Sequence, residues 1–365
     1  MMSMKAFLAK ILSLILFLLG LPLLGVWLTG VPLTPYLQFP PETLYVAHAG
    51  FAWPAFWLLV LFIYLVSWPF ALSFILTRVP PADRISPAAS FPWWGWPGLT
   101  LTFTAWFFAW TRFPWFADLQ PYTFFPLWLG YIVVINALTR SRSGTCLMTR
   151  NPALFFVLFP TSSLFWWFFE YLNRFVQNWY YQGIESFTPA GYIAHATLCF
   201  STVLPAVAGT DEYLFTCRRL DRALANIFPI KTAGSKVLGW LTLWLAGFGL
   251  AGIGVWPEYL FPLLWLAPLL IILAMQSITG EKTILATIRH GDWRPIWRSA
   301  LAALICGFFW EMWNYKSLAQ WRYTVPLVQR FHLFEMPLLG YAGYLPFGME
   351  CMVIVRLLRQ AMRRP

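Results

Sequence analysis

Charge is scarce in this chain: only 11% of its 365 residues are Asp, Glu, Lys or Arg, while 59% are hydrophobic and 20% aromatic. Soluble domains carry about 25% charged residues, so this composition excludes an ordinary soluble domain and predicts an integral membrane protein. The net charge of +11 comes from short basic clusters between apolar runs, without the basic patch interleaved with aromatics that is typical of nucleic-acid binding. We therefore expect no nucleic-acid partner.

Motifs for metal, cofactor and nucleophile chemistry are also missing. The sequence has no H-E-x-x-H, G-x-S-x-G, phosphate-binding loop or aspartate-rich prenyl-diphosphate motif. Its five cysteines are scattered and show no C-x-x-C spacing, which predicts free thiols and no structural metal. Of the four histidines only His195 falls clearly within an apolar stretch, so paired haem ligands are not expected. We expect neither a metal nor a cofactor.

Long apolar runs dominate the chain instead. A helix needs about 20 mostly apolar residues to cross the hydrocarbon core, and ten stretches approach that length: 11–30, 51–77, 98–117, 122–139, 153–173, 190–209, 237–256, 259–279, 299–314 and 336–356. The runs lack the alternation of barrel strands. The first has no small-x-small cleavage site, so we expect it to remain as an uncleaved span. The sequence predicts an all-α polytopic membrane protein with about ten transmembrane helices.

The basic residues predict the orientation of these spans. If the N-terminus is cytoplasmic, only Arg174, Lys316, Arg322 and Arg330 fall in outside loops, and Arg112 falls within the third stretch. The remaining Lys and Arg residues all lie in inside segments. The positive-inside rule therefore predicts a multi-pass protein of the inner (cytoplasmic) membrane with both termini in the cytoplasm.

The second half of the chain repeats features of the first. The matched pairs are Glu170 with Glu311, Asn173 with Asn314, Trp179 with Trp321, Tyr181 with Tyr323, and Leu204-Pro205 with Leu345-Pro346. This spacing predicts tandem four-helix repeats at 91–235 and 236–365, after an N-terminal transmembrane hairpin and linker at 1–90. Because each repeat crosses the membrane an even number of times, the symmetry axis should run along the membrane normal.

The candidate ionisable residues inside the predicted spans are Glu170, Glu311, Glu350 and Arg112. Each costs about 2.5–3.5 kcal/mol in insertion experiments, and such residues usually face a bundle interior or a wet cavity. On a helix, each Glu-x-x-Asn pair points one carboxylate and one amide to the same side. We expect Arg112 to pair with Glu170. The alternative is that these side chains only hydrogen-bond neighbouring helices.

The loops after the two motifs are rich in aromatic and basic residues. Candidate substrate-binding residues are Trp179, Tyr181, Trp321, Arg322, Tyr323, Glu335 and Arg112. Arg322 is a possible partner for Glu311. An aromatic belt at the membrane interface explains much of the same composition without a ligand.

The C-terminal stretch "FFWEMWNYKSLAQWRYTVPLVQRFHLFEMPLLGYAGYLPFGMEC" resembles that of a family of bacterial polytopic membrane proteins. Through Trp321, Tyr323, Pro326, Glu335 and Pro337, it is also distantly similar to the duplicated domain of heterodimeric-type lycopene cyclases. That resemblance implies acid-catalysed cyclisation of carotenoid ends without redox change. This chain departs from the pattern, since Glu precedes Pro where that family has Pro before paired acids, and its predicted repeats have four helices instead of three.

These observations lead to three functional hypotheses. The first is an enzyme acting on a lipid or isoprenoid between the repeats, with Glu311 and Glu350 as acid and base, Asn314 orienting Glu311 or the substrate, and Glu170 and Asn173 as their counterparts. It requires a closed, lipid-accessible pocket around Glu311. The second is a transporter or channel, which requires a water-filled path and helices broken near the midplane. The third is a scaffold subunit. Expected partners are membrane lipids and a hydrophobic small molecule; the oligomeric state stays open.

Overall fold

The fold is built almost entirely from helices. The computed structural model describes residues 4–41, 44–80, 89–232 and 234–362, with side chains from residue 12 onward. It is 71% helical, which confirms the all-α prediction, and each of the ten predicted apolar stretches contains an α-helix. The predicted orientation also uses five basic residues that lie outside those whose side chains are described: Lys5, Lys10, Arg84, Arg363 and Arg364.

The described residues form fifteen α-helices and four short strands, numbered in chain order. The helices are α1 (Met4–Leu28), α2 (Thr34–Leu37), α3 (Trp53–Leu76), α4 (Gly95–Trp110), α5 (Phe124–Ser143), α6 (Leu147–Arg150), α7 (Pro152–Val176), α8 (Pro189–Phe200), α9 (Val203–Phe215), α10 (Arg218–Ala225), α11 (Lys236–Gly252), α12 (Pro257–Leu260), α13 (Leu263–Ile278), α14 (Arg294–Asn314) and α15 (Tyr344–Ala361). The strands are β1 (Trp179–Gln182), β2 (Gln320–Tyr323), β3 (His332–Leu333) and β4 (Met336–Pro337), and 3-10 turns occupy Pro114–Tyr122, Ile284–His290 and Leu338–Gly343.

Five helical segments in the described residues are long and apolar enough to cross a membrane: α3, α5, α7, α8 together with α9, and α15 together with the preceding 3-10 turn. Three further apolar helices in the described residues are shorter: Leu12–Leu28 within α1, the whole of α11 and the whole of α13. In α3 only 6% of the most apolar window is buried inside the protein, and large side chains such as Trp57, Leu58 and Phe62 are exposed. An apolar helix of this length with so little protein cover indicates a membrane protein.

Small residues allow the helices to approach closely. A Cβ added to Gly130 of α5 would lie 2.4 Å from the Thr102 hydroxyl of α4, and one added to Gly348 of α15 would lie 2.0 Å from the Ser299 carbonyl oxygen of α14. Close backbone contact through small residues is a common way for helices to associate in lipid, where the surrounding chains are as apolar as the side chains.

The centre of the molecule is packed with aromatic rings from both halves of the chain. Phe169 of α7 stacks on Trp265 of α13 at 5.0 Å between ring centroids. Trp128 of α5 lies 5.0 Å from Trp310 of α14. Phe347 of α15 contacts several of these rings. Both ring pairs join a helix before residue 235 to one after it, so the aromatic core holds the two halves together.

The molecule has two ends that carry different chemistry. Helices α7 and α14 both run toward the two-stranded ribbon formed by β1 and β2, and we call this end the ribbon side. We call the opposite end, where both helices begin, the arginine side, because Arg150, Arg298, Arg356 and Arg359 lie there. The ribbon was not predicted, because the sequence patterns indicated helices alone.

A segment between α2 and α3 fastens the two halves together on the ribbon side. The His48 ring places Nδ1 2.7 Å from Glu258 Oε1 and Nε2 3.2 Å from the Gln177 carbonyl oxygen. The Ala49 N–H donates to Glu258 Oε2 at 2.8 Å, and the Ala49 carbonyl accepts from the Leu327 N–H. The segment therefore bridges the end of α7 and the short helix α12. We call this contact the His48 clamp.

The clamp should make stability depend on acidity. Burial raises the pKa of Glu258, but hydrogen bonds from His48 and from the Ala49 N–H outweigh burial and hold that pKa below its usual value of 4.5. A carboxylate whose pKa is lowered by folding stabilises the protein above the unfolded-state pKa, and this contribution is lost as pH falls through the folded-state pKa.

We expect thermal stability in detergent to decline below about pH 4.5, and Glu258→Gln to remove part of that decline. Asp118→Asn, at an exposed carboxylate, is the matched control. An unaltered pH profile in Glu258→Gln would contradict this role.

Candidate functional site

The two Glu-x-x-Asn motifs lie at the ribbon-side ends of matched helices. Glu170 and Asn173 are in the last two turns of α7, and Glu311 and Asn314 close α14. The exposed fraction of all four residues is 0–1%. Burying four polar side chains in an apolar interior is costly unless each finds hydrogen-bond partners, so the partners show what these residues do.

Each asparagine binds the backbone of the strand that follows its own helix. The Asn314 amide donates to the Trp321 carbonyl at 2.8 Å, and its Oδ1 accepts from the Trp321 N–H at 2.9 Å. Asn173 donates to the Trp179 carbonyl at 2.8 Å and accepts from the Asn178 N–H at 2.8 Å. Each amide therefore makes the hydrogen bonds that the backbone of a neighbouring strand would otherwise make. In this way it holds the chain that follows the helix over the end of that helix.

Glu170 is held by three ring donors. Its Oε1 accepts from the Tyr181 hydroxyl at 2.6 Å, from Trp166 Nε1 at 3.0 Å and from Trp179 Nε1 at 3.1 Å. Tyr181 and Trp179 belong to the strand that Asn173 fixes. Asn173 therefore positions the backbone of the strand, and Glu170 accepts hydrogen bonds from the side chains of the same strand.

Glu311 repeats this arrangement with two differences. Its Oε1 accepts from the Tyr323 hydroxyl at 2.8 Å and from the Tyr344 hydroxyl at 2.6 Å. Trp321 Nε1 donates to the Tyr323 hydroxyl at 2.8 Å. Gly307 stands where the duplication predicts the counterpart of Trp166, and a Cβ there would lie 2.4 Å from the Tyr344 ring. Glycine thus makes room for Tyr344 to supply the donor that Trp166 supplies in the first half.

The two strands meet in antiparallel register. Trp179 is opposite Tyr323, Tyr180 is opposite Arg322, and Tyr181 is opposite Trp321. The matched residues of the duplication thus exchange places across the centre of the ribbon, as a local twofold axis requires. We call the ribbon together with the two Glu-Asn pairs the ribbon centre.

Each strand also contacts aromatic rings of the other half. Trp179 stacks on Trp265 of α13, with ring centroids 5.6 Å apart and planes inclined by 27°. Trp321 meets Phe124 of α5 edge to face, with centroids 5.7 Å apart. Aromatic pairs contribute about 0.5–1.5 kcal/mol beyond area burial, so these crossed contacts help to join the halves.

One oxygen of each buried glutamate remains without a partner. Oε2 of Glu170, Glu311 and Glu350 is buried and accepts no hydrogen bond. Glu350 is 1% exposed and lies six residues beyond Tyr344 on α15, about 9 Å along the helix axis at ~1.5 Å per residue. The part of the chain that the structure describes therefore includes three enclosed carboxyl groups, each with an oxygen that is free to hold a proton.

Two predicted ion pairs are wrong. Helix α4 ends at Trp110, so Arg112 lies beyond the helix, where it donates to the carbonyl oxygens of Ala109 at 2.9 Å and Lys316 at 2.7 Å. It does not reach Glu170. The carboxylates point into the aromatic interior, whereas the guanidinium stays at the surface.

Arg322 likewise misses Glu311 and contacts a different carboxylate. Its Nη1 lies 2.5 Å from Glu335 Oε2, and its Nε donates to Gln182 Oε1 at 3.3 Å. Arg322 and Glu335 thus fasten the edge of the ribbon to the loop before α15. The substrate-binding roles assigned to these residues remain predictions.

Sequence reasoning missed Tyr344, Trp166 and the His48 clamp. The signal for Tyr344 was its place in "GYLP", since Leu345-Pro346 already marked the duplication. Nothing in the sequence pairs His48 with Glu258, which is 210 residues away.

Two clefts can be compared with the position of the ribbon centre. Two clefts lie on the arginine side; one is lined by Leu147, Arg150, Asn151 and Arg359, and the other includes Asp221, Arg294 and Arg298. Among the residues that the structure describes, no three His, Cys, Asp or Glu side chains are grouped to hold a metal ion.

Comparison with protein-family models, curated proteins and solved structures gives no match for this chain. Any functional conclusion therefore depends on the geometry of the ribbon centre and on the charges around it.

Asn314→Ala tests whether the amide holds the ribbon. Removing it leaves the Trp321 N–H and carbonyl without their partner, and each unsatisfied buried group costs about 1–3 kcal/mol. We expect a clear loss of thermal stability in detergent and a change in the near-ultraviolet signal of the ring cluster. Asn314→Asp keeps the acceptor and should lose less. Asn226→Ala, at an exposed asparagine, is the control, and equal stability of Asn226→Ala and Asn314→Ala would refute the role.

Proposed function

We propose that this chain is an inner-membrane protein of about ten spans with both termini in the cytoplasm and the ribbon side facing outward. Helices in all ten apolar stretches support the span count. The placing of Arg150, Arg298, Arg356 and Arg359 at one end supports the orientation. The four-helix division at 91–235 and 236–365, after 1–90, stays a prediction that the crossed pairing of β1 and β2 favours.

We propose that the protein is a transporter or channel that conducts protons, with Glu170 and Glu311 as proton-binding groups. The observation that carries this is the enclosure of each carboxyl group, with Oε1 fixed by ring donors and Oε2 buried without a partner. A relay of protonatable side chains can pass a proton without the continuous water-filled path that a hydrated ion or another solute requires. Intramembrane carboxylates of this kind commonly serve proton relays.

Interrupted helices give further support. The apolar segment Pro189–Phe215 is divided into α8 and α9 at Ser201–Thr202. Ser162 of α7 bridges the gap, donating to the Phe200 carbonyl at 2.5 Å and accepting from the Leu204 N–H at 3.0 Å. Discontinuous helices with side chains that replace lost backbone bonds are a feature of transporters.

The matched helix of the second half is interrupted at the corresponding place. A 3-10 turn over Leu338–Gly343 precedes α15, which begins at Tyr344, just before Leu345-Pro346. The hydroxyl of Tyr344 donates to Glu311. A change in the protonation of Glu311 would therefore act directly on the first residue of α15 and would link proton binding to a movement of that helix.

The second candidate is the enzyme acting on a lipid or isoprenoid. The aromatic surroundings of Glu311 favour it, because the Trp310 and Tyr344 rings stack at 5.9 Å beside the carboxyl group and such faces stabilise cationic intermediates. Glu311 would be the acid and Glu350 the base. Asn314 is bound to the Trp321 backbone, so it would act only by holding the strand. The aromatic rings would have to separate to admit a substrate.

Proton movement in reconstituted vesicles tests the proposal. Vesicles loaded with a pH-sensitive dye receive a potassium diffusion potential, and the rate of internal acidification is recorded. We expect protein-dependent acidification that Glu311→Gln and Glu170→Gln reduce to the level of empty vesicles, because neither variant can bind a proton at that site. Glu185→Gln, at an exposed carboxylate, should behave as wild type.

Two results would contradict it. One is wild-type vesicles that acidify no faster than empty ones; the other is full activity in folded Glu311→Gln protein. A change in the lipid profile of cells lacking the protein, reversed by wild type and not by Glu311→Gln, would favour the enzyme instead.

A further inference from the structure

A basic cleft on the arginine side lies between the two halves of the chain. It encloses about 210 Å³ and is lined by Leu147, Arg150, Asn151 and Arg359. The first three residues lie where α6 meets the start of α7, and Arg359 lies in the last turn of α15. The ribbon centre and its carboxylates are at the other end of these helices, so the cleft is a separate feature.

Positive charge exceeds negative charge around this cleft. Arg150 pairs with Glu212, whose Oε2 accepts from the Leu147 N–H at 2.5 Å. Arg298 pairs with Asp211 at 2.9 Å. Both nearby carboxylates are therefore already paired, Glu212 with Arg150 of the cleft wall and Asp211 with Arg298.

Two further guanidinium groups share this region. Arg356 and Arg359 are close enough to Asp211 to interact with it electrostatically, but Arg298 already occupies that carboxylate. Four arginines thus face two acids. The surplus of positive charge lies at the cleft wall formed by Arg359 and favours an anion, and the start of the α7 helix adds to that preference.

The size and position of the cleft restrict the anion. Sites for drug-sized ligands usually enclose about 300–1,000 Å³, so this cleft fits a headgroup and not a whole lipid. The Arg150 side chain is 52% exposed, which shows that the cleft opens to the surface. It lies where the apolar helices α7 and α15 reach the arginine side, at the level expected for lipid phosphates.

We infer that this cleft binds the phosphate of an anionic phospholipid. Arg150 and Arg359 hold the phosphate oxygens, because a planar guanidinium with several N–H donors matches phosphate geometry. The acyl chains lie along the apolar surfaces of the neighbouring helices. Basic clefts between helices at the membrane surface are known to take such headgroups. A bound lipid would join α6 and α7 of the first half to α15 of the second.

Native mass spectrometry of the full-length protein in detergent measures this binding directly. The ligands are phosphatidylglycerol, phosphatidylcholine and inorganic phosphate, titrated separately. We expect phosphatidylglycerol to bind more tightly than phosphatidylcholine. Arg359→Gln should weaken phosphatidylglycerol binding by about tenfold, as expected for the loss of a charge-assisted hydrogen bond, and Arg359→Lys by less, because the charge remains.

Arg218→Gln is the matched control, because Arg218 is exposed on α10 at the same side and lies outside the cleft. It should leave the affinity unchanged. Circular dichroism of each variant shows that it is folded. Equal affinity for the two lipids, or an undiminished affinity in folded Arg359→Gln protein, overturns the inference. Inorganic phosphate that binds as tightly as phosphatidylglycerol, with the same loss in Arg359→Gln, overturns the lipid assignment in favour of a free anion.

Discussion

The hydrogen bonds from Asn173 and Asn314 to the backbone of the following strands are the interaction on which the ribbon side depends. In an apolar environment a chain that leaves a helix must find partners for its freed backbone groups. Here each asparagine supplies both a donor and an acceptor to the returning chain. With the backbone fixed, the Tyr and Trp side chains of each strand reach the buried glutamate one turn earlier. The surroundings of each carboxylate thus depend on the hydrogen bonds between the asparagine and the strand backbone.

The two strands that the asparagines hold also join the two halves of the chain. Because β1 and β2 pair antiparallel about Tyr180 and Arg322, each strand is stabilised by the other as well as by its own helix. Trp179 and Trp321 then pack on rings of the opposite half, and the His48 clamp closes the arrangement from outside. A proton that binds or leaves Glu311 would therefore affect the strand, the start of α15 and the contact between the halves together.

The sequence was sufficient to predict the apolar helices and the burial of both Glu-Asn pairs, because hydropathy and spacing are local properties. It could not predict the partners. Glu170 and Glu311 were expected to pair with Arg112 and Arg322, since opposite charges attract; the structure instead gives each carboxylate neutral ring donors, and leaves the arginines at the surface. The exchange of Trp166 for Tyr344 also depends on the close packing of the Tyr344 ring against Gly307, which only the tertiary structure shows.

Disulfide cross-linking of the ribbon tests this account most directly. Cysteines replacing Tyr180 and Arg322 would be directly opposite, with Cβ atoms about 4.5–5.5 Å apart, near the range that a disulfide accepts. Cysteines replacing Tyr180 and Gln320 would be two residues out of register, at about 7–8 Å. We expect mild oxidation to link the first pair rapidly and the second slowly, and Asn314→Ala to slow the first. Equal linking of both pairs, or none of the first, would contradict the ribbon and the positions of the buried carboxylates that depend on it.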